Sequence, residues 1–152
     1  MKKLLIGLCL MVFLWGCSEN KVNQTIIETS YYTVTEPEDW DGLYEYEVVD
    51  LDVGGYALDF YEKDSYQGEY GGFLFGIVLY PSDYDYSYLP SYEVIGMLET
   101  DHDVYNMLIE YPTDVQFDDH NADKYHALSD DDETIIKSIK VINGAKLTTN
   151  EW

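Results

Sequence analysis

The chain has 152 residues, with 30 acidic side chains against 8 lysines and no arginine, giving a formal charge of −22. Such a charge repels nucleic acid and anionic headgroups, and without arginine there is no bidentate fork for phosphate, so nucleic-acid and phosphate recognition are not expected. A hydrophobic fraction of 46% with 16% aromatic residues is too rich for a disordered acidic tail and suits one domain with one core.

The chain opens with Met1-Lys2-Lys3, a short positive segment. Residues 4–15 form an almost unbroken apolar run, too short to span a membrane and the length of a secretory signal. Leu14-Trp15-Gly16-Cys17 closes the run with a small residue before a cysteine. This stretch resembles the lipobox of bacterial lipoproteins. The resemblance implies a signal peptide over residues 1–16, removed to leave Cys17 as the first residue. Cys17 would carry a diacylglyceryl anchor with palmitate-type chains, placing the protein outside the cytoplasm on the cell membrane. Each buried CH₂ contributes roughly 0.8 kcal/mol, so two chains hold a protein permanently. Cys9 would leave with the signal, so no disulfide is expected and the core must stabilise the domain. Six lysines would then face 30 acids.

Residues 17–30 are expected as the lipidated cysteine and a flexible polar tether, with Ile26 and Ile27 as the first residues able to begin ordered structure. A coil of about 13 residues spans roughly 20 Å. A single domain is expected over residues 31–143.

Tyr31-Tyr32-Thr33-Val34-Thr35 reads as a strand stopped by Pro37, and residues 38–42 as a turn that folds Trp40 onto the core. Residues 43–49 alternate, with Tyr44, Tyr46 and Val48 on one face and Glu45 and Glu47 on the other. Gly54-Gly55 marks a hairpin, after which Tyr56, Leu58 and Phe60 form an apolar face. Residues 73–80 are apolar on both faces and should be the central strand. Residues 92–98 and 104–111 read as a second hairpin, with Tyr105, Met107, Ile109 and Tyr111 on one face. One or two helical turns are expected within residues 119–128. Ser129 and Asp132 then resemble a capping box opening a longer helix, with Ile135, Ile136, Ile139 and Ile142 as its apolar stripe and Asn143-Gly144 as its stop. Residues 144–152 are expected as a frayed tail. The fold class is α+β: a curved antiparallel sheet with a C-terminal helix packed on one face.

The common catalytic motifs are missing, and no enzymatic activity and no cofactor is expected. His120, His126, Asp118, Asp119 and Asp123 invite a metal reading. A polar helix start is preferred, because no third ligand has a supporting spacing. Asp83-x-Asp85-x-Ser87 resembles the opening of a calcium loop, but Tyr88 replaces the turn-forming glycine and Glu93 falls one residue short. The better lead is the loop 80–92, where Tyr80, Tyr84, Tyr86, Tyr88 and Tyr92 alternate with polar residues. Tyrosine supplies rigid contact area with a polar tip, which suits protein or carbohydrate partners. Tyr84, Tyr86 and Tyr88, with Asp83 and Asp85, are the candidate partner-binding residues.

Further motifs carry a second resemblance: Gly71-Gly72-Phe73-Leu74-Phe75, Leu89-Pro90-Ser91-Tyr92, Glu110-Tyr111-Pro112-Thr113-Asp114-Val115-Gln116 and Ile135-Ile136-Lys137-Ser138-Ile139. Together they resemble small extracytoplasmic domains of low-GC Gram-positive bacteria, found as lipoproteins and beside sensor peptidases of the β-lactam-sensor type. The proline–tryptophan turn, sheet and helix also resemble the PsbP-like sandwich. The resemblance implies no catalytic residue and no defined ligand. The expected function is a non-enzymatic interaction module at the cell envelope, with a protein or glycan partner. The alternatives are a low-affinity cation (calcium) binder using Asp83, Asp85, Asp118 and Asp119, and a small carboxylate-dependent hydrolase.

Overall fold

The computed structural model describes residues 24–150. Cys17 and the expected signal peptide lie outside the described residues. The chain runs β1 (Ile26–Glu28), β2 (Tyr32–Thr35), β3 (Tyr44–Asp50), β4 (Tyr56–Glu62), α1 (Lys63–Tyr66), β5 (Phe73–Pro81), β6 (Tyr92–Glu99), β7 (Val104–Glu110), α2 (Ala122–Ser129), α3 (Asp132–Lys137), β8 (Lys140–Val141) and β9 (Lys146–Thr149). All strand pairs are antiparallel. They form a six-stranded sheet in the order β3-β4-β5-β7-β6-β9 and a three-stranded sheet in the order β1-β2-β8. The class is α+β, dominated by antiparallel sheet, and no helix of the described residues is long and apolar enough to cross a membrane.

Alternation builds the core. Leu58 and Phe60 of β4, Phe75, Ile77 and Leu79 of β5, and Met107 and Ile109 of β7 point to one side of the large sheet. Tyr32 and Val34 of β2 and Ile135 and Ile136 of α3 join them in one buried cluster. Trp40 is fully buried in this cluster, its ring centroid 5.1 Å from Tyr44, 5.8 Å from Phe60 and 6.2 Å from Phe75. Burying one such side chain contributes about 3 kcal/mol. The β3–β4 hairpin turns through Gly54 and Gly55, both at positive φ, and a Cβ on Gly55 would fall 1.9 Å from the Leu79 carbonyl oxygen. Only glycine fits that approach.

Three sequence expectations change. The long helix expected from Ser129 is the six-residue α3, and the helical turns expected before it are α2. Ser129 ends α2, its hydroxyl donating to the His126 carbonyl (3.1 Å), and does not cap a following helix. Beyond α3, the Ser138 hydroxyl donates to the Ile135 carbonyl (2.7 Å) and accepts from the Thr35 amide (2.9 Å). Lys140 and Val141 then pair with Thr33 and Tyr32, so the chain is drawn onto the edge of β2 instead of continuing as helix. Asn143-Gly144 turns between β8 and β9, with Asn143 itself at φ 54°. The expected tail carries β9, which pairs with β6 through Gly96–Thr149 to Glu99–Lys146. Residues 26–28 of the expected tether form β1, with Ile27 buried. Tyr46 and Val48 share one side of β3, as the alternation predicts, opposite the core residues Phe60 and Leu58, and they are exposed on this outer strand.

Candidate functional site

The opposite face of the large sheet carries a second, smaller apolar cluster. Register places Ala57 of β4, Val78 of β5 and Leu108 of β7 side by side, with Tyr80 next along β5. The loop after β5 folds back over them. The Tyr84 amide donates to the Pro81 carbonyl (2.9 Å) and the Leu89 amide to the Tyr86 carbonyl (3.0 Å), so two tight turns return the chain to β6.

Stacking fixes the tyrosines of this loop. The Tyr80 and Tyr84 rings lie parallel with centroids 4.5 Å apart. Tyr88 meets Tyr84 edge-on at 6.1 Å, and their hydroxyls are hydrogen-bonded. Tyr86 meets Tyr92 edge-on at 5.5 Å. Aromatic pairs of this geometry each contribute about 1 kcal/mol beyond area burial. Tyr84 and Tyr86 are half-buried on the cluster, whereas Tyr88 is 65% exposed. The structure thus joins Tyr84 with Tyr88 and sets Tyr86 on a separate pair with Tyr92. Asp83 and Asp85 are exposed beside them. Asp85 Oδ1 accepts from the Ser87 amide (3.0 Å), and hydrogen bonds from Ser87 hold its carboxyl below the usual range. Asp85 therefore shapes a local turn.

Next to this aromatic shelf runs a row of carboxylates. Register aligns Glu47, Asp59, Gly76, Glu110 and Tyr92 across five strands. Gly76 leaves a gap that Asp59 fills, since a Cβ on Gly76 would lie 2.3 Å from Asp59 Oδ1. Burial pushes the Asp59 carboxyl up to about 6, with the charges of Glu110 and Glu47 adding to the rise and a hydrogen bond from Tyr61 opposing it. Burial also raises Glu110, against a hydrogen bond donated by the Tyr80 hydroxyl (2.9 Å). The Tyr66 hydroxyl donates to Glu47 (2.5 Å). Each carboxylate is thus answered by a tyrosine. Sequence reasoning missed this row, because its members sit on strands far apart in the chain and only register unites them. The outward alternation of Glu47, Asp59 and Glu110 was the available signal.

The histidine segment is organised differently. Asp118 Oδ1 accepts from the amides of His120 (2.8 Å) and Asn121 (3.0 Å), leading the chain into α2. The His126 ring packs edge-on against Phe117 at 4.9 Å. Asp118, Asp119 and His120 line a shallow hollow of about 410 Å³ with Phe117. Among the described residues, no three His, Cys, Asp or Glu side chains are grouped to hold a metal ion.

Compared with known protein families, with curated proteins and with solved structures, the chain matches none.

Proposed function

We propose that the protein is an extracytoplasmic lipoprotein, tethered to the cell membrane through a diacylglyceryl group on Cys17, and that its domain is a non-enzymatic interaction module. The tyrosine shelf supports this reading. Tyr84 and Tyr88 form a pre-stacked aromatic surface with one ring largely in solvent, flanked by the exposed Asp83 and Asp85. A surface ordered before binding loses little entropy on contact. Hydroxyl-tipped rings suit an envelope protein or glycan. Bulges between Phe60 and Tyr61 and between Val94 and Gly96 support a curved sheet, as the PsbP-like likeness implies.

The experiment is affinity capture from gently solubilised native membranes, using a tag placed after Trp152. A stoichiometric partner that is lost from the Tyr84→Ala/Tyr88→Ala variant supports the module. Unchanged capture by that variant sinks it.

One observation favours a second reading, a small carboxylate-dependent hydrolase. Asp59, raised to about 6, lies in register with Glu110 two strands away, across Gly76 of β5, as an acid and a base could. Turnover of chromogenic glycosides that is lost in Asp59→Asn but kept in Asp83→Asn would establish it.

A further inference from the structure

We propose that β3 is a strand-addition site, taking at its free edge an extended segment of another protein in which basic residues alternate with apolar ones. Among the described residues, four strands bound the two sheets. β8 has two residues, β1 three and β9 four, whereas β3 has seven. Long bare edges are normally shortened, covered or guarded by charge, because they template further pairing.

The backbone of β3 is set for pairing. The Leu43 carbonyl accepts from the Lys63 amide (3.0 Å), and the Leu51 amide donates to the Gly55 carbonyl (3.2 Å). By alternation, Glu45, Glu47 and Val49 bond inward to β4. The N–H and C=O groups of Tyr44, Tyr46, Val48 and Asp50 therefore point outward, where no described strand lies.

The two faces of β3 specify the occupant. On the core side, Tyr46 is 47% and Val48 50% exposed, and the Tyr46 ring stacks on Tyr44 at 6.3 Å. An added strand would cover both with its own apolar residues. The other side presents Glu45 and Glu47. Glu45 meets Lys63 at 3.5 Å, and Glu47 is answered by the Tyr66 hydroxyl alone among the contacts described. Cross-strand neighbours stand about 5 Å apart, so lysine or arginine opposite these glutamates is attracted and another acid is repelled. A second copy would set β3 glutamates near their own kind in a chain of charge −22. Charge complementarity therefore selects a basic, heterologous strand. This edge is separate from the tyrosine shelf, so either surface can fail without the other.

The test uses the full chain in a non-ionic detergent and a short capped peptide alternating lysine with valine. Its control is an isomer with all lysines before all valines. Amide hydrogen exchange should slow about tenfold at Tyr46 and Val48 with the alternating peptide only. Val48→Pro, which removes an outward N–H, should weaken binding by about tenfold or more. Glu45→Gln/Glu47→Gln should weaken it several-fold and reduce its salt dependence, and this variant decides if Val48→Pro fails to fold. Equal binding of the isomer, protection away from β3, no binding at millimolar peptide, or concentration-dependent self-pairing at β3 without peptide would each overturn the proposal.

Discussion

Asp59 and Glu110 face each other across Gly76, one residue of β5 separating two carboxylates that both resist ionisation. The folded chain holds the Asp59 proton to about 6, against about 3.9 in an unfolded chain. A folded state that binds protons more tightly loses stability as pH rises. The contribution is complete below about pH 4 and is lost as pH climbs through about 6. Asp59→Asn should therefore melt with wild type at pH 4 and a few degrees higher at pH 7.5, on the order of 1 kcal/mol after solvent screening. Parallel melting curves of the two proteins from pH 4 to 8 would refute the environment described for Asp59.

The Trp40 indole N–H donates to Asp131 Oδ2 at 2.9 Å, joining the turn after β2 to the start of α3. Asp131 stands at the N-cap position of α3, but its side chain makes no cap hydrogen bond. Asp131→Ala should cost about 1–2 kcal/mol in urea unfolding, and Asp131→Asn, which keeps an acceptor, much less. Equal losses in the two variants would mean that charge and not the hydrogen bond matters.

Glu62 is fully buried at the end of β4 and caps α1, accepting from the amides of Asp64 (3.1 Å) and Ser65 (2.8 Å), with Lys124 of α2 at 3.4 Å. Glu62→Ala should destabilise by about 2–3 kcal/mol, since cap and ion pair go together. Lys124→Met, which keeps the cap, should cost less. The ranking of the two midpoints in one denaturant series checks this.

Gly42 and Gly55 share a positive φ but differ in surroundings, for nothing lies within 4 Å of a Cβ on Gly42. Gly42→Ala should cost about 1 kcal/mol of backbone strain. Gly55→Ala adds a collision with the Leu79 backbone and should lose several kcal/mol or fail to fold. Similar melting points for both would show that the β3–β4 turn yields.

Much of the sheet was legible because it is locally encoded. The Gly54-Gly55 turn, the two-faced apolar run of β5 and the alternation of β7 each declare themselves within ten residues. The C-terminal region was not, because Ile135, Ile136, Ile139 and Ile142 keep a helical spacing past Lys137, where α3 ends. What decided it was Thr35, a hundred residues upstream, offering its amide to Ser138. The tyrosine loop was visible as composition, but its pairing of Tyr84 with Tyr88 and Tyr86 with Tyr92 depends on turns that composition does not specify. The exposure of Tyr46 and Val48 escaped for a related reason: alternation says which side a residue takes, and only topology says whether that side is covered.

Trp40 also gives the domain a built-in optical probe. The other two tryptophans, Trp15 and Trp152, fall at the chain ends, so Trp40 is the sole indole of the described residues. Its ring is sealed from solvent and ringed by Tyr44, Phe60 and Phe75. Sixteen tyrosines elsewhere in the chain act as antennae that pass excitation to it. Unfolding should therefore shift its emission to the red and cut the tyrosine-sensitised part of its fluorescence, so the fold can be followed without any label.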